Sequence, residues 1–169
     1  MSALEFLGLV KKRRSIRKYK PDPIPKEKLD YVLEATRMAP SWGNRQCWRF
    51  VVVTEPSKRK ATAARDWIAE APAIIVGCAD PNMSGNRFNQ PYYMLDMGIA
   101  MEHLMLAAAE QGLGTCWIGD QFDEETVKQV LDIPQAIRVV ALTPLGYPDE
   151  TPGPKDRKEI GEIVKHEKW

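Results

Sequence analysis

A chain of 169 residues with 44% hydrophobic content has the length of one domain and enough apolar material for a buried core. Charged residues make up 28%, yet the formal net charge is +1, which excludes a broad basic field for nucleic acid and an acidic tail. Cys47, Cys78 and Cys116 are odd in number and lack Cys-x-x-Cys spacing, so neither a disulfide framework nor a metal site is expected, and a cytoplasmic location is. In chain order, Leu4, Leu7 and Val10 recur at helical spacing and predict a helix over residues 3–12. It ends in Lys11 to Arg14, cations that suit a helix C-terminus. Glu5 and the lack of a long apolar run argue against a signal peptide. Residues 15–19 read as extended, and Pro21, Pro23 and Pro25 bar regular structure after them. A second helix is predicted over 26–38 through Leu29, Val32, Leu33 and Thr36, opened by Pro25 and stopped by Pro40.

Residues 49–54 form a strand whose apolar run, Phe50 to Val53, predicts a central position buried on both faces. A helix over 57–70 and a second buried strand over 73–79 follow. Residues 80–91 are a polar loop. The longest helix is predicted over 92–111, apolar on nearly every face and therefore deep in the protein. Asp96, Glu102 and His103 within it argue against a membrane span. Gly112 and Gly114 close it. Then come a short strand over 115–118, a small helix N-capped by Asp123, and a third long strand over 137–142. Residues 151–154 are a loop, and 158–169 are polar and extended or weakly helical. Strands alternate with helices, but Gly112-x-Gly114 is followed by Gly119 one residue too late for a dinucleotide fingerprint, and it follows a helix, not a strand. The expected class is therefore α+β, not doubly wound α/β.

Four stretches carry chemistry. Between Trp42 and Trp48 lie Ser41, Asn44, Arg45 and Gln46; two indoles beside two carboxamides suit a flat, hydrogen-bonding ligand, and equally an N-cap-rich loop around two core tryptophans. Arg13-Arg14-Ser15-Ile16-Arg17 and Lys155-Asp156-Arg157 read as anion sites or as solvated basic faces. Gly112-Leu113-Gly114-Thr115-Cys116-Trp117-Ile118-Gly119 offers backbone that a ligand can approach closely, or simply a helix end and a turn.

In this order and at these distances the four stretches resemble the nitroreductase family of FMN-dependent oxidoreductases, over nearly the whole chain. The resemblance implies a mostly antiparallel central sheet flanked by helices, in a domain-intertwined homodimer with FMN at the interface. It implies that Arg13, Arg17, Arg157 and Lys155 hold the phosphate, with Arg14 and Ser15 at the ring edge or ribityl chain. Pro40, Ser41 and Asn44 match a flavin-contacting loop that relatives supply from the partner subunit. Gln46 and Trp48 match a following Gln-Pro-Trp in which Cys47 stands here for the proline, which loosens the loop and brings a thiol near the site. Trp117, Ile118 and Gly119 match the segment whose backbone meets the ring, with the Ile118 and Gly119 amides as donors to developing charge and no catalytic side chain. The 80–91 loop is short where larger relatives often carry a helical lid, leaving Asn86, Arg87 and Phe88 to meet a substrate. His103 and His166 read as structural. The implied activity is hydride transfer from NADH or NADPH through FMN to a nitroaromatic, quinone or similar electron-poor small molecule, by a ping-pong mechanism. A reductive dehalogenase, a flavin-fragmenting enzyme, and a flavin-binding module without turnover are the alternatives. Nucleic acid, membrane and metal are not expected as partners.

Overall fold

The computed structural model describes residues 3–169, with side chains from Glu5 onward, so Leu4's part in the first apolar stripe lies outside the described residues. Helix α1 (Ala3–Lys12) ends in Lys11 and Lys12. The segment after it runs extended, and Ser15 makes a parallel bridge to Thr115. Helix α2 (Lys26–Arg37) begins directly after Pro25, whose φ of −57° is already set for a helix start, and it buries Val32 and Thr36. Strand β1 (Trp48–Val53) leads to α3 (Pro56–Thr62) and α4 (Asp66–Glu70), and β2 (Ala73–Ala79) is buried at every residue.

The helix expected over 57–70 is thus two helices. Ala63, at φ −95° and ψ 130°, ends the first. The Arg59 guanidinium ties the two together: it donates to Thr54 O (3.1 Å) ahead of α3, and to Ala69 O (2.8 Å) and Ala71 O at the end of α4.

The polar 80–91 segment folds into a small hairpin, β3 (Asn86–Arg87) and β4 (Gln90–Pro91), and runs into α5 (Tyr92–Glu110). Strand β5 (Gly114–Thr115), helix α6 (Glu124–Leu131), strand β6 (Arg138–Gly146) and the short α7 (Ile160–Ile163) complete the chain. Asp123 caps α6, its carboxylate accepting the Thr126 N–H at 2.8 Å.

The four-stranded sheet has the order β1-β2-β6-β5, and every pairing between these strands is antiparallel. Strands β2 and β6 are its centre. Strand β1 lies at an edge; Arg49 is exposed and Phe50 to Val52 are only partly buried, a correction to the central position its apolar run predicted. The run is apolar because Phe50 and Val52 pack on one core and Val51 on the other, which an edge strand can do without a second neighbouring strand.

Side chains alternate across the sheet. Ile74, Val76 and Cys78 of β2 join Val53, Ile68, Val127 and Leu142 in one core. Ala73, Ile75 and Ala79 face the other, with Val32, Met97, Met101 and Leu104. Helices α2 and α5 cover this second face. Helix α5 is deep on that side only: Met94 (49% exposed), Leu95 (56%) and Ile99 (41%) stand open to solvent, against the expectation of burial all round. Among the described residues no helix is long and apolar enough to cross a membrane, and no cluster of His, Cys, Asp or Glu could hold a metal.

Candidate functional site

The two basic stretches, far apart in sequence, meet. The chain leaving α1 is zipped to β5 by the Ile16 N–H donating to Thr115 O at 2.8 Å. Gly114 makes the approach possible, because a Cβ there would stand 2.7 Å from Ile16 Cγ1. The chain after β6 returns to the same place: Asp149 N–H donates to Lys18 O at 2.9 Å, and Glu150 Oε1 accepts the Arg17 N–H. Between the two segments lies a cavity of about 760 Å³ lined by Arg13, Arg14, Ser15, Arg17, Lys155 and Arg157. Lys11 lines it too, as do Glu102 and Glu150. The cations outnumber the carboxylates, and the volume is that of a cofactor site.

The cavity wall fits a phosphate-bearing group. Arg14 Nη1 is tied to the Lys11 and Arg13 carbonyls, while its Nε is buried and has no hydrogen-bond partner. A buried guanidinium N–H left open is costly unless an acceptor arrives. Arg17 leans over the Trp67 ring at 6.0 Å, which orients its fork, and Arg157 is exposed at the rim. Cys116 sits beside Ser15; burial pushes its thiol up, opposed by the nearby Arg17.

The segment after β5 is placed differently from expectation in one respect. The Ile118 N–H donates to Leu142 O at 2.9 Å, and Ile118 O accepts the Leu142 N–H at 3.0 Å. Its amide is therefore committed to the sheet and is not free for a ligand, which corrects its assignment as a donor. The Gly119 N–H has no partner among the described residues, and Gly119 is exposed. Trp117 is 39% exposed beside it. A smaller cavity of about 230 Å³ adjoins Gly119 and is walled by Tyr93, Met94, Phe122 and the Glu124–Arg138 pair.

The loop with Pro40, Ser41, Asn44 and Gln46 does not line the basic cavity of its own chain. Pro40 and Ser41 border instead a shallow groove with Trp42, Tyr92, Leu95 and Ile99. The loop is internally wired. Ser41 Oγ accepts the Gln46 N–H at 2.9 Å, and Gln46 Nε2 donates to Asn44 O at 3.2 Å. Gly43 (φ 56°), Asn44 (φ 54°) and Gln46 (φ 50°) are all left-handed. Burial first, and then the Asp96 carboxylate beside it, push the Cys47 thiol up to about 11, so Cys47 is a buried, protonated donor and not a reactive thiolate.

Three acids were missed by sequence reasoning. Glu150 fixes the backbone of Arg17, Glu102 lines the basic cavity, and Asp96 holds Cys47. Asp96 and Glu102 had a sequence signal, acids set within an apolar helix pattern; Glu150 had none.

Comparison with known proteins shows what the chain as a whole is similar to. The sequence model of the nitroreductase family matches residues 10–66 and 55–147. A Thermus thermophilus protein named NADH dehydrogenase is 31% identical, covering 90% of this chain and 91% of its own. The solved structure of an FMN-dependent nitroreductase from Clostridium difficile R20291 superposes with a TM-score of 0.84 at 30% identity, over 96% of this chain and 99% of that one. An iodotyrosine deiodinase of Thermotoga neapolitana is 27% identical, over 92% of this chain and 94% of its own.

Proposed function

The chain belongs to the nitroreductase family, and from that premise we propose that it is a single-domain, FMN-dependent oxidoreductase. It takes hydride from NADH or NADPH and passes it to a nitroaromatic, quinone or similarly electron-poor small molecule. The observation that carries this reading is the basic cavity that joins Arg13, Arg14 and Arg17 to Lys155 and Arg157 around an open, buried guanidinium N–H. Relatives named for FMN and for NADH support the cofactor and the donor.

Bound FMN supplies the reversible hydride chemistry. The protein supplies the rest. Arg13, Arg17 and Arg157 offer guanidinium forks to phosphate oxygens, with Lys155 as a further cation. Arg14 brings its open Nε, and Ser15 a hydroxyl, to the same wall. The Gly119 N–H, alone of the two amides first assigned, is available to a ring edge and to charge that develops there. Because FMN, when bound, would supply the hydride chemistry, no side chain of this protein would be needed as a base.

Two copies build the site together. The Pro40–Gln46 loop does not line its own basic cavity and carries exposed Trp42 beside exposed Leu95 and Ile99. An apolar patch of this kind is covered in a homodimer, where the loop meets the partner's FMN. The chain carries no dinucleotide fingerprint, so donor and acceptor share one pocket and take turns in it.

Steady-state turnover with NADH and 1,4-benzoquinone, both varied, tests the proposal. Parallel double-reciprocal lines are expected of a shared pocket; intersecting lines, or no turnover by FMN-loaded protein with NADH or NADPH and quinone, nitroaromatic or halophenol acceptors, would contradict it. Replacing the quinone by a halogenated phenol decides between general reduction and dehalogenation, the chemistry that the deiodinase relative's name brings into range.

A further inference from the structure

Asp96 is 3% exposed, yet among the described residues it takes part in no salt bridge. A carboxylate taken out of water needs donors, and three reach this one from two separate segments. The Trp42 backbone N–H donates to Oδ1 at 2.8 Å. The Ser84 hydroxyl donates to Oδ2 at 2.7 Å, and the Cys47 thiol to the same oxygen at 3.4 Å. Trp42 and Cys47 stand near the two ends of the 40–47 loop. Ser84 stands at the foot of the β3–β4 hairpin. One side chain on rigid α5 therefore fastens both.

Other contacts show that the two are fastened to each other. Asp80 N–H donates to Cys47 O at 2.9 Å, and Tyr92 N–H closes the hairpin on Gly85 O at 2.8 Å. Trp42 lies flat on Gly85: a Cβ there would stand 2.6 Å from indole Cε2. Trp42 also stacks with Tyr92, ring centroids 6.5 Å apart. The parts so held are ones the chain would not hold alone. The loop has left-handed Asn44 and Gln46, and the hairpin tip has left-handed Phe88 and Asn89 with Phe88 81% exposed. Non-glycine residues in that region cost free energy and persist only where surroundings fix them.

We propose that Asp96 is a positioning residue that holds the flavin-contacting loop and the substrate-facing hairpin in fixed register with each other. The proposal rests on the reading of the site given above. The carboxylate is specific to the task, since it presents acceptors only. Asparagine would turn an NH₂ group toward at least one of the three donors.

Asp96→Asn, Ser84→Ala and Ile68→Ala separate positioning from stability. Ile68 is fully buried in α4, which packs on α3 and the sheet, and its truncation lowers the Tm without altering either loop. At a temperature where all variants are folded, Asp96→Asn is expected to weaken FMN binding by about tenfold or more, and to raise the KM for 1,4-benzoquinone. Ser84→Ala is expected to raise that KM with FMN affinity held within about twofold, and Ile68→Ala to leave both within about twofold. Labelling of Cys47 by a disulfide reagent such as DTNB requires no flavin and keeps this proposal apart from the functional one. Faster labelling in Asp96→Asn, abolished by adding Cys47→Ser, supports positioning even in protein that fails to take up FMN. Asp96→Asn protein with wild-type FMN affinity, quinone KM and Cys47 labelling overturns it. If Asp96→Asn does not fold, Ser84→Ala carries the test, and a quinone KM unchanged in that variant overturns the link between hairpin and loop.

Discussion

Arg157 and Lys158 are neighbours at the end of the chain, and both are exposed, but only Arg157 lines the basic cavity. Removing a guanidinium fork from a phosphate should cost about 1.5–3 kcal/mol of FMN binding, whereas removing a solvated lysine should cost little. Arg157→Ala is therefore expected to weaken FMN binding well beyond Lys158→Ala in a titration of apoprotein; equal losses would remove the C-terminal segment from the site. Glu124 offers a different single-residue test. Its carboxylate accepts from Arg138 Nε at 2.9 Å and Nη2 at 3.0 Å, from the Val139 N–H at 2.9 Å, and stands 3.2 Å from Lys128 Nζ. Arg138 above all, and then Val139 and Lys128, hold it down to about 2 from an ordinary 4.5. A depressed carboxylate contributes its stability above the unfolded pKa and loses it as pH falls through the folded one. Glu124→Gln should thus cost about 1 kcal/mol at neutral pH, the partly exposed Arg138 keeping the loss small. The gap between variant and wild type should close between pH 4.5 and about 2 in denaturant melts; a gap that stays constant with pH would show that the charge on Glu124 contributes nothing.

Helix α5 is the element that joins core, loop and hairpin. Its buried side, with Met97, Met101 and Leu104, seals one face of the sheet, and Asp96 at its edge grips Trp42, Ser84 and Cys47. Its outer side shows Met94, Leu95 and Ile99. Leu95→Asp should leave the monomer folded, since the side chain is already 56% exposed, and should shift the protein toward monomer in light scattering; an unshifted dimer would put the interface elsewhere. Much of this element plan was legible in the sequence. Strand β2 was readable because every residue from Ala73 to Ala79 is buried, and α2 because Pro25 and Pro40 bracket it. Strand β1 was misplaced because Phe50 to Val53 pack on both cores from an edge position, so their apolar run does not require a second neighbouring strand. The break in 57–70 had no glycine or proline to mark it, and the Arg59 bonds that tie α3 to the end of α4 are contacts that local pattern cannot show. In the site, the pairing of Arg13–Arg17 with Lys155 and Arg157 came from the ordered motifs. Loss of the Ile118 amide to Leu142 and the three donors on Asp96 depend on register and on long-range folding, and left no local mark.

At the scale of the whole molecule, one chain holds the parts of the proposed flavin site in two separate places. The basic cavity is lined without any residue of the 40–46 loop, and Pro40 and Ser41 of that loop border a different groove. In the proposed dimer a second copy would bring the loop of one chain to the cavity of the other, and the exposed apolar side of α5 would supply area for an interface of the large, obligate kind. Cofactor and assembly are then a single property, and native mass spectrometry of the protein as purified, supplemented with FMN, reads both at once. The expected result is a dimer carrying one FMN per chain, with no FAD. A monomer, or a dimer that stays bare in excess FMN, would contradict the assignment of this chain as an FMN-dependent oxidoreductase built from two copies.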